Sequence, residues 1–182
     1  MSEEEITAYV SIGSNLGERA GNLLLAVRGL LEASLTVSRL SAVYETEPVG
    51  VDQEHQKYLN LVAELKITNI TPEQVMARML RVEYLLGRRE KFQKKPRTVD
   101  LDLLFYGDLQ YQTPFLTLPH PRLHQRKFVL VPLVELVPDL VHPVFGKTVS
   151  ELLKETQDRT VVKRWNPNLE IKKSEEKITA GF

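Results

Sequence analysis

Tyr58-Leu59-Asn60-Leu61-Val62-Ala63-Glu64-Leu65-Lys66-Ile67 is the stretch that decides the fold. Leu59, Leu61, Ala63 and Leu65 fall on one side of an extended chain, with Tyr58, Asn60, Val62 and Glu64 on the other; this is the period of two that marks a β-strand. Just beyond it, Thr71-Pro72-Glu73-Gln74 reads as a helix start: a capping threonine, proline at the first helical position and a polar third residue. That helix is expected to run to about Leu86 and stop at Gly87. A basic loop then spans 88–96, and Thr98 to Tyr106 forms a further strand ending at Gly107-Asp108.

Upstream, residues 48–57 are polar and read as a loop. Before them, Val37 to Tyr44 alternates loosely and continues to Glu47-Pro48, where proline stops a strand. A helix is expected from about Glu18 to Ala33, with Leu23, Leu24, Val27, Leu30 and Leu31 at helical spacing. Thr7 to Ile12 is a first strand, closed by the polar turn Gly13-Ser14-Asn15. The order is β-α-β-β-α-β, the split βαβ arrangement of a ferredoxin-like α+β sandwich, in which an antiparallel sheet carries both helices on one face.

C-terminal additions follow. Residues 113–124 hold three prolines and two histidines and read as irregular. Lys127 to Leu136 reads as a helix with Pro132 in its first turns, Val149 to Thr156 as a short helix, and Thr160 to Trp165 as an edge strand. One domain over residues 1–165 is expected, with a polar tail over 166–182.

The composition narrows the function classes. Lys and Arg together number 24 and so do Asp and Glu, a balance that gives no argument for nucleic-acid or membrane partners. There is no cysteine, which excludes disulfides and thiolate metal sites and fits a reducing compartment. Met1-Ser2-Glu3-Glu4-Glu5 is acidic where a signal peptide would be basic, and no run approaches the roughly 20 apolar residues of a membrane span. A cytoplasmic protein, more readily a monomer than an oligomer, is the expectation.

The chemistry concentrates in Arg97-Thr98-Val99-Asp100-Leu101-Asp102-Leu103-Leu104. On a strand, Asp100 and Asp102 point together while Val99, Leu101 and Leu103 point into the core. Two carboxylates side by side repel unless a cation sits between them, and all-oxygen ligation suits Mg²⁺. An exposed, solvated strand face is the plain alternative for such a pair. Arg88-Arg89-Glu90-Lys91-Phe92-Gln93-Lys94-Lys95-Pro96-Arg97, with six cations and one acid, runs straight into that strand and could clamp polyphosphate. No glycine-rich Walker motif is present, so an ATP site here is not of the P-loop kind. Glu83 lies on the apolar stripe of its helix near the C-terminus, where the macrodipole disfavours an anion. Pairing with a nearby Arg or Lys, or a role near metal or nucleotide, both fit it. His120 and His124 have a four-residue spacing that suggests zinc, but Pro119 and Pro121 break a regular helix and no third ligand is apparent. Phosphate contacts from His120 and Arg126 fit better.

Taken together, Ala8-Tyr9-Val10-Ser11-Ile12-Gly13-Ser14-Asn15-Leu16-Gly17, Tyr44-Glu45-Thr46-Glu47-Pro48-Val49-Gly50, Tyr58-Leu59-Asn60, the run from Pro96 to Asp102 and the run from Leu118 to Leu130 resemble the 6-hydroxymethyl-7,8-dihydropterin pyrophosphokinases of folate biosynthesis. The resemblance covers roughly residues 7–145. It implies a ferredoxin-like fold and two Mg²⁺ ions held between ATP and Asp100 and Asp102. It implies catalytic roles for Arg88 and Arg97, and ATP contacts from Glu83, Lys91, Arg97, His120 and Arg126. The pterin would lie between aromatic rings, Phe128 being one and Tyr58 nearby, with Asn60 and the backbone around Thr46 and Val49 reading its polar edge. The chain departs from the family's pattern at Lys94-Lys95-Pro96-Arg97, where many members have Trp-Gly-Pro-Arg, and at Glu47, where proline is common. Another ATP-dependent kinase or nucleotidyl transferase using the same aspartates, or a nucleotide-sensing module, are the competing readings.

Overall fold

The computed structural model describes residues 5–47, 56–87 and 98–168. The strands are β1 (Glu5–Ser14), β2 (Thr36–Leu40), β3 (Tyr44–Thr46), β4 (Tyr58–Thr68), β5 (Asp100–Tyr106), β6 (Tyr111–Gln112), β7 (Thr117–Leu118) and β8 (Val162–Arg164). The helices are α1 (Arg19–Glu32), α2 (Pro72–Leu85), α3 (Lys127–Leu136) and α4 (Val149–Glu155), with one 3₁₀ turn at Leu123–Gln125. The main sheet runs β5-β1-β4-β3-β8, and β2 also pairs with β4. β1 is antiparallel to both β4 and β5, as the split βαβ order requires.

The alternation in β4 sorts the molecule into layers. Leu59, Leu61, Ala63 and Leu65 join Leu23, Ala26 and Leu30 of α1 and Val75, Met79 and Val82 of α2 in one core. The opposite face is buried too, at one end: Tyr9, Val62, Leu104 and Phe105 pack under Val129, Leu130 and Leu133 of α3 and Val149 and Leu152 of α4. The C-terminal helices therefore cover half of the second face. The other half, around Gly13, Asn60 and Asp102, stays open and forms the cleft described below.

α2 starts as its sequence predicts. Thr71 Oγ1 accepts from Gln74 N while the Gln74 side chain accepts from Thr71 N, a reciprocal pair that satisfies two donors with no helical partner. α1 keeps its expected bounds but not its expected stripe. Leu24 and Leu31 are 71% and 52% exposed, and Ala26 takes the buried place between Leu23 and Leu30. The helix is turned by its contact with α2 at Gly29, where an added Cβ would lie 2.7 Å from Val82 Cγ1.

Four other expectations are corrected. The turn placed at Gly13-Ser14-Asn15 begins later, because Gly13 and Ser14 still pair with β4 and Gly13 also pairs with Asp100. The single strand expected over 37–44 is two strands: at the break Ser41 Oγ accepts from Val62 N and Ala42 N donates to Glu135, so the interrupted ladder loses no partner there. Residues 113–124 are less irregular than expected, since β7 pairs with β6 across a turn in which Thr113 Oγ1 accepts from Phe115 N and Leu116 N. Pro132 lies mid-way along α3, not in its first turns; its ring is buried, and that packing offsets the missing amide bond. The edge strand expected near 160–165 is β8, paired with β3.

Candidate active site

Three adjacent strands supply the floor of the cleft. Gly13 lies opposite Asn60 on one side and Asp100 on the other, and Ser11 lies between Val62 and Asp102. Side chains two apart on a strand share a face, so Ser11, Asn60, Tyr58, Asp100 and Asp102 are carried to the same surface. Thr46 of β3 faces Tyr58 in register. Arg126 and Phe128 come down from the start of α3 to close one wall. The enclosed space is about 190 Å³ and is lined by these residues together with Glu47.

Asn60 is 3% exposed and donates from Nδ2 to Thr46 Oγ1 at 2.9 Å. Its Oδ1 lies over Gly13, where an added Cβ would come within 2.7 Å of it. The missing side chain at 13 is what lets the amide lie flat on the floor. At the rim, Arg19 donates to Glu45 at 2.9 Å and to the Lys57 carbonyl at 2.7 Å, tying the start of α1 to both chain ends that border residues 48–55. Glu47 pairs with Lys57 at 3.3 Å.

Asp100 and Asp102 are half-buried and face the cleft, whereas Leu101 and Leu103 between and beyond them are buried in the opposite core. Arg126 Nη1 donates to Asp102 Oδ2 at 3.2 Å and its guanidinium lies 5.7 Å from the Phe128 ring centre. Burial pushes the Arg126 guanidinium below its ordinary value, and the Asp102 carboxylate opposes that shift. Asp102 thus already faces a positive charge. A hard divalent cation fits this donor set, since both carboxylates are oxygen ligands on one face. Among the described residues no group of three or more His, Asp or Glu side chains gathers to hold a metal. A cation here would take its remaining oxygens from substrate phosphates and water.

Of the residues singled out in the sequence, the cleft brings together Asp100, Asp102, Arg126, Phe128, Tyr58, Asn60 and Thr46. His120 does not line it. It lines a neighbouring groove of about 450 Å³ with Tyr111, Thr117 and His142, its Nδ1 accepting from Arg122 N at 3.1 Å. His124 meets Phe145 edge-on at 4.7 Å rather than forming a metal pair with His120. Glu83 is buried behind β5, where Oε1 accepts from Leu101 N at 2.7 Å. Arg88, Lys91, Arg97 and Val49 lie outside the described residues. Ser11, Gly13 and Glu47 line the cleft although no site role was expected of them. For the first two, the strand parity of β1 was the available signal.

The family model for 7,8-dihydro-6-hydroxymethylpterin-pyrophosphokinase (HPPK) matches residues 9–138. The 2-amino-4-hydroxy-6-hydroxymethyldihydropteridine pyrophosphokinase of Aquifex aeolicus is 36% identical over 149 residues, 82% of this chain and 91% of that protein. The enzyme of the same name from Synechocystis is 39% identical over 165 residues, 90% of this chain and 83% of the relative. Among solved structures, Plasmodium falciparum HPPK-DHPS with pteroate superposes with a TM-score of 0.68 over 85% of this chain and 43% of that one, at 16% identity, a likeness of fold.

Proposed function

The chain belongs to the 7,8-dihydro-6-hydroxymethylpterin-pyrophosphokinase family and transfers the pyrophosphoryl group of ATP to the hydroxymethyl oxygen of 6-hydroxymethyl-7,8-dihydropterin in folate biosynthesis, releasing AMP; from that premise we propose a division of labour among the residues around the cleft. The observation that carries it is that the aspartate pair and the set Tyr58, Asn60 and Phe128 open on one and the same cleft. A flat heterocycle suits the second set. Phe128 and Tyr58 flank its faces, and the Asn60 amide with the backbone near Thr46 and Val49 reads its polar edge.

Asp100 and Asp102 are the ligands of Mg²⁺, two ions with ATP, which when bound neutralise charge on the phosphates. Arg126, Lys91 and Arg97 contact those phosphates, and the fork of an arginine suits them best; His120, which lines the neighbouring groove, meets the nucleotide where it extends out of the cleft. The primary hydroxyl of the pterin attacks the β-phosphorus, the bond from that phosphorus to the AMP oxygen breaks, and the two terminal phosphates move together. Arg88 and Arg97 stabilise the charge that develops as AMP separates. The domain over 1–165 does this as a cytoplasmic monomer.

Phosphorus NMR of the protein mixed with ATP, MgCl₂ and 6-hydroxymethyl-7,8-dihydropterin tests the reading. AMP and a pterin diphosphate are expected, and neither forms when Mg²⁺ is left out. ADP would indicate a simple kinase and pyrophosphate a nucleotidyl transferase, and either would overturn it.

A further inference from the structure

Glu83 stands near the end of α2, is 2% exposed, and places Oε1 2.7 Å from Leu101 N, the amide between Asp100 and Asp102. β5 is an edge strand whose one neighbour in the main sheet, among the described strands, is β1. An amide on its outer side has no strand to bond, and an unpaired buried donor is costly. The Glu83 carboxylate takes the place of the missing strand, with a charge-assisted bond stronger than an amide–carbonyl one. A buried anion in the last turns of a helix is otherwise a poor choice, because both desolvation and the macrodipole oppose it.

We propose that Glu83 is a positioning residue for the transfer: through the Leu101 amide it fixes the start of β5, so that the Asp100 and Asp102 carboxylates converge on the cleft. The inference rests on the reading of those aspartates as the cation-binding pair. It assigns Glu83 an action through the backbone, in place of the direct nucleotide contact that the family resemblance implies.

Three variants of the full chain separate these roles. Glu83→Ala removes the acceptor, Glu83→Gln keeps an oxygen at the same reach without charge, and Glu83→Asp keeps the charge but falls one methylene short. Mn²⁺ binding in the presence of a non-hydrolysable ATP analogue, followed by the EPR signal of free Mn²⁺, is measured beside kcat and the KM for the pterin. Glu83→Ala and Glu83→Asp are expected to weaken Mn²⁺ binding by about 10-fold or more, the lower end for residues that orient metal ligands. kcat falls with it, while the pterin KM, set on β3, β4 and α3, stays unchanged. Glu83→Gln restores both Mn²⁺ binding and kcat. Should the alanine variant not fold, the order of Gln above Asp still decides. Asp above Gln would overturn the inference in favour of a direct charge contact, and unchanged Mn²⁺ binding in all three would reduce Glu83 to a structural residue. Asp102→Asn is run in parallel. If it leaves wild-type Mn²⁺ binding unaltered, the aspartate reading itself falls and takes the inference with it.

Discussion

Arg126 Nη1 lies 3.2 Å from Asp102 Oδ2, with both side chains about one-fifth exposed. The carboxylate proposed to hold a cation is therefore already compensated, and an incoming metal ion has to compete with a guanidinium that stays charged at any ordinary pH. Arg126→Met removes the competitor. Mn²⁺ alone should then bind more tightly, by about 3- to 10-fold for a pair of this partial exposure, while the KM for ATP rises because a phosphate contact is lost. Titration of Mn²⁺ with and without nucleotide checks both halves. Weaker Mn²⁺ binding without nucleotide would mean that Arg126 orients Asp102 more than it screens it.

Asp102→Asn should reduce turnover to the level of a reaction without enzyme. The fold should respond modestly: the pair lost with Arg126 is four-fifths buried but opens on the cleft, where water can reach both groups, so its loss costs about 1 kcal/mol. For a chain of this size that corresponds to roughly 2–4 °C in Tm. A melting curve beside a rate assay distinguishes this from unfolding. A well-folded variant with substantial turnover would sink the metal assignment.

What the sequence revealed and what it hid have separate physical origins. Alternation in Tyr58–Ile67 and the capping pair Thr71 and Gln74 are local, so β4 and the start of α2 could be read directly. The common face of Asp100 and Asp102 was legible for the same reason. The break between β2 and β3 was not, because it depends on Ser41 meeting Val62 across the sheet. The exposure of Leu24 and Leu31 follows from how closely α2 approaches Gly29, a relation between two helices that neither helix encodes alone. Gly13 looked like turn material, and only pairing with both Asn60 and Asp100 makes it the floor of the cleft. His120 was grouped with the phosphate contacts, yet the described cleft does not include it, because its segment runs along the outer side of β5, bonding Leu104 O through its own amide.

Gly13→Ala tests the floor. The new methyl would lie 2.7 Å from Asn60 Oδ1, so the amide must swing away and stretch its bond to Thr46. The KM for the pterin should rise about 10-fold, the loss of roughly one well-placed hydrogen bond, while nucleotide binding measured without pterin stays near the wild-type value. Asn60→Ala should produce the same pattern, and the two substitutions together should cost less than their sum, since both act on one amide. Additive losses would mean that Gly13 serves some purpose other than clearing space for Asn60.

Glu64 predicts a pH dependence that leaves catalysis aside. Its carboxylate is buried under α3, bonded by Arg39, by Ser38 Oγ at 2.8 Å and by the Tyr9 hydroxyl at 3.1 Å. Arg39 holds it down from an ordinary 4.5 to about 2, with the two hydroxyls assisting against burial. A carboxylate whose folded value is depressed contributes its full stability above the unfolded value and loses it as pH falls. The window is therefore from about 4.5 down to about 2. That difference would correspond to on the order of 3 kcal/mol, and to nearer 2 once the half-exposed Arg39 is discounted for solvent screening. Glu64→Gln should lower Tm at neutral pH and flatten its fall across that window, with kcat unchanged because Glu64 does not line the cleft. Parallel melts of the two proteins from pH 7 to 2 provide the check: curves separated by a constant offset down to pH 2 would show that the Glu64 charge carries none of the acid sensitivity.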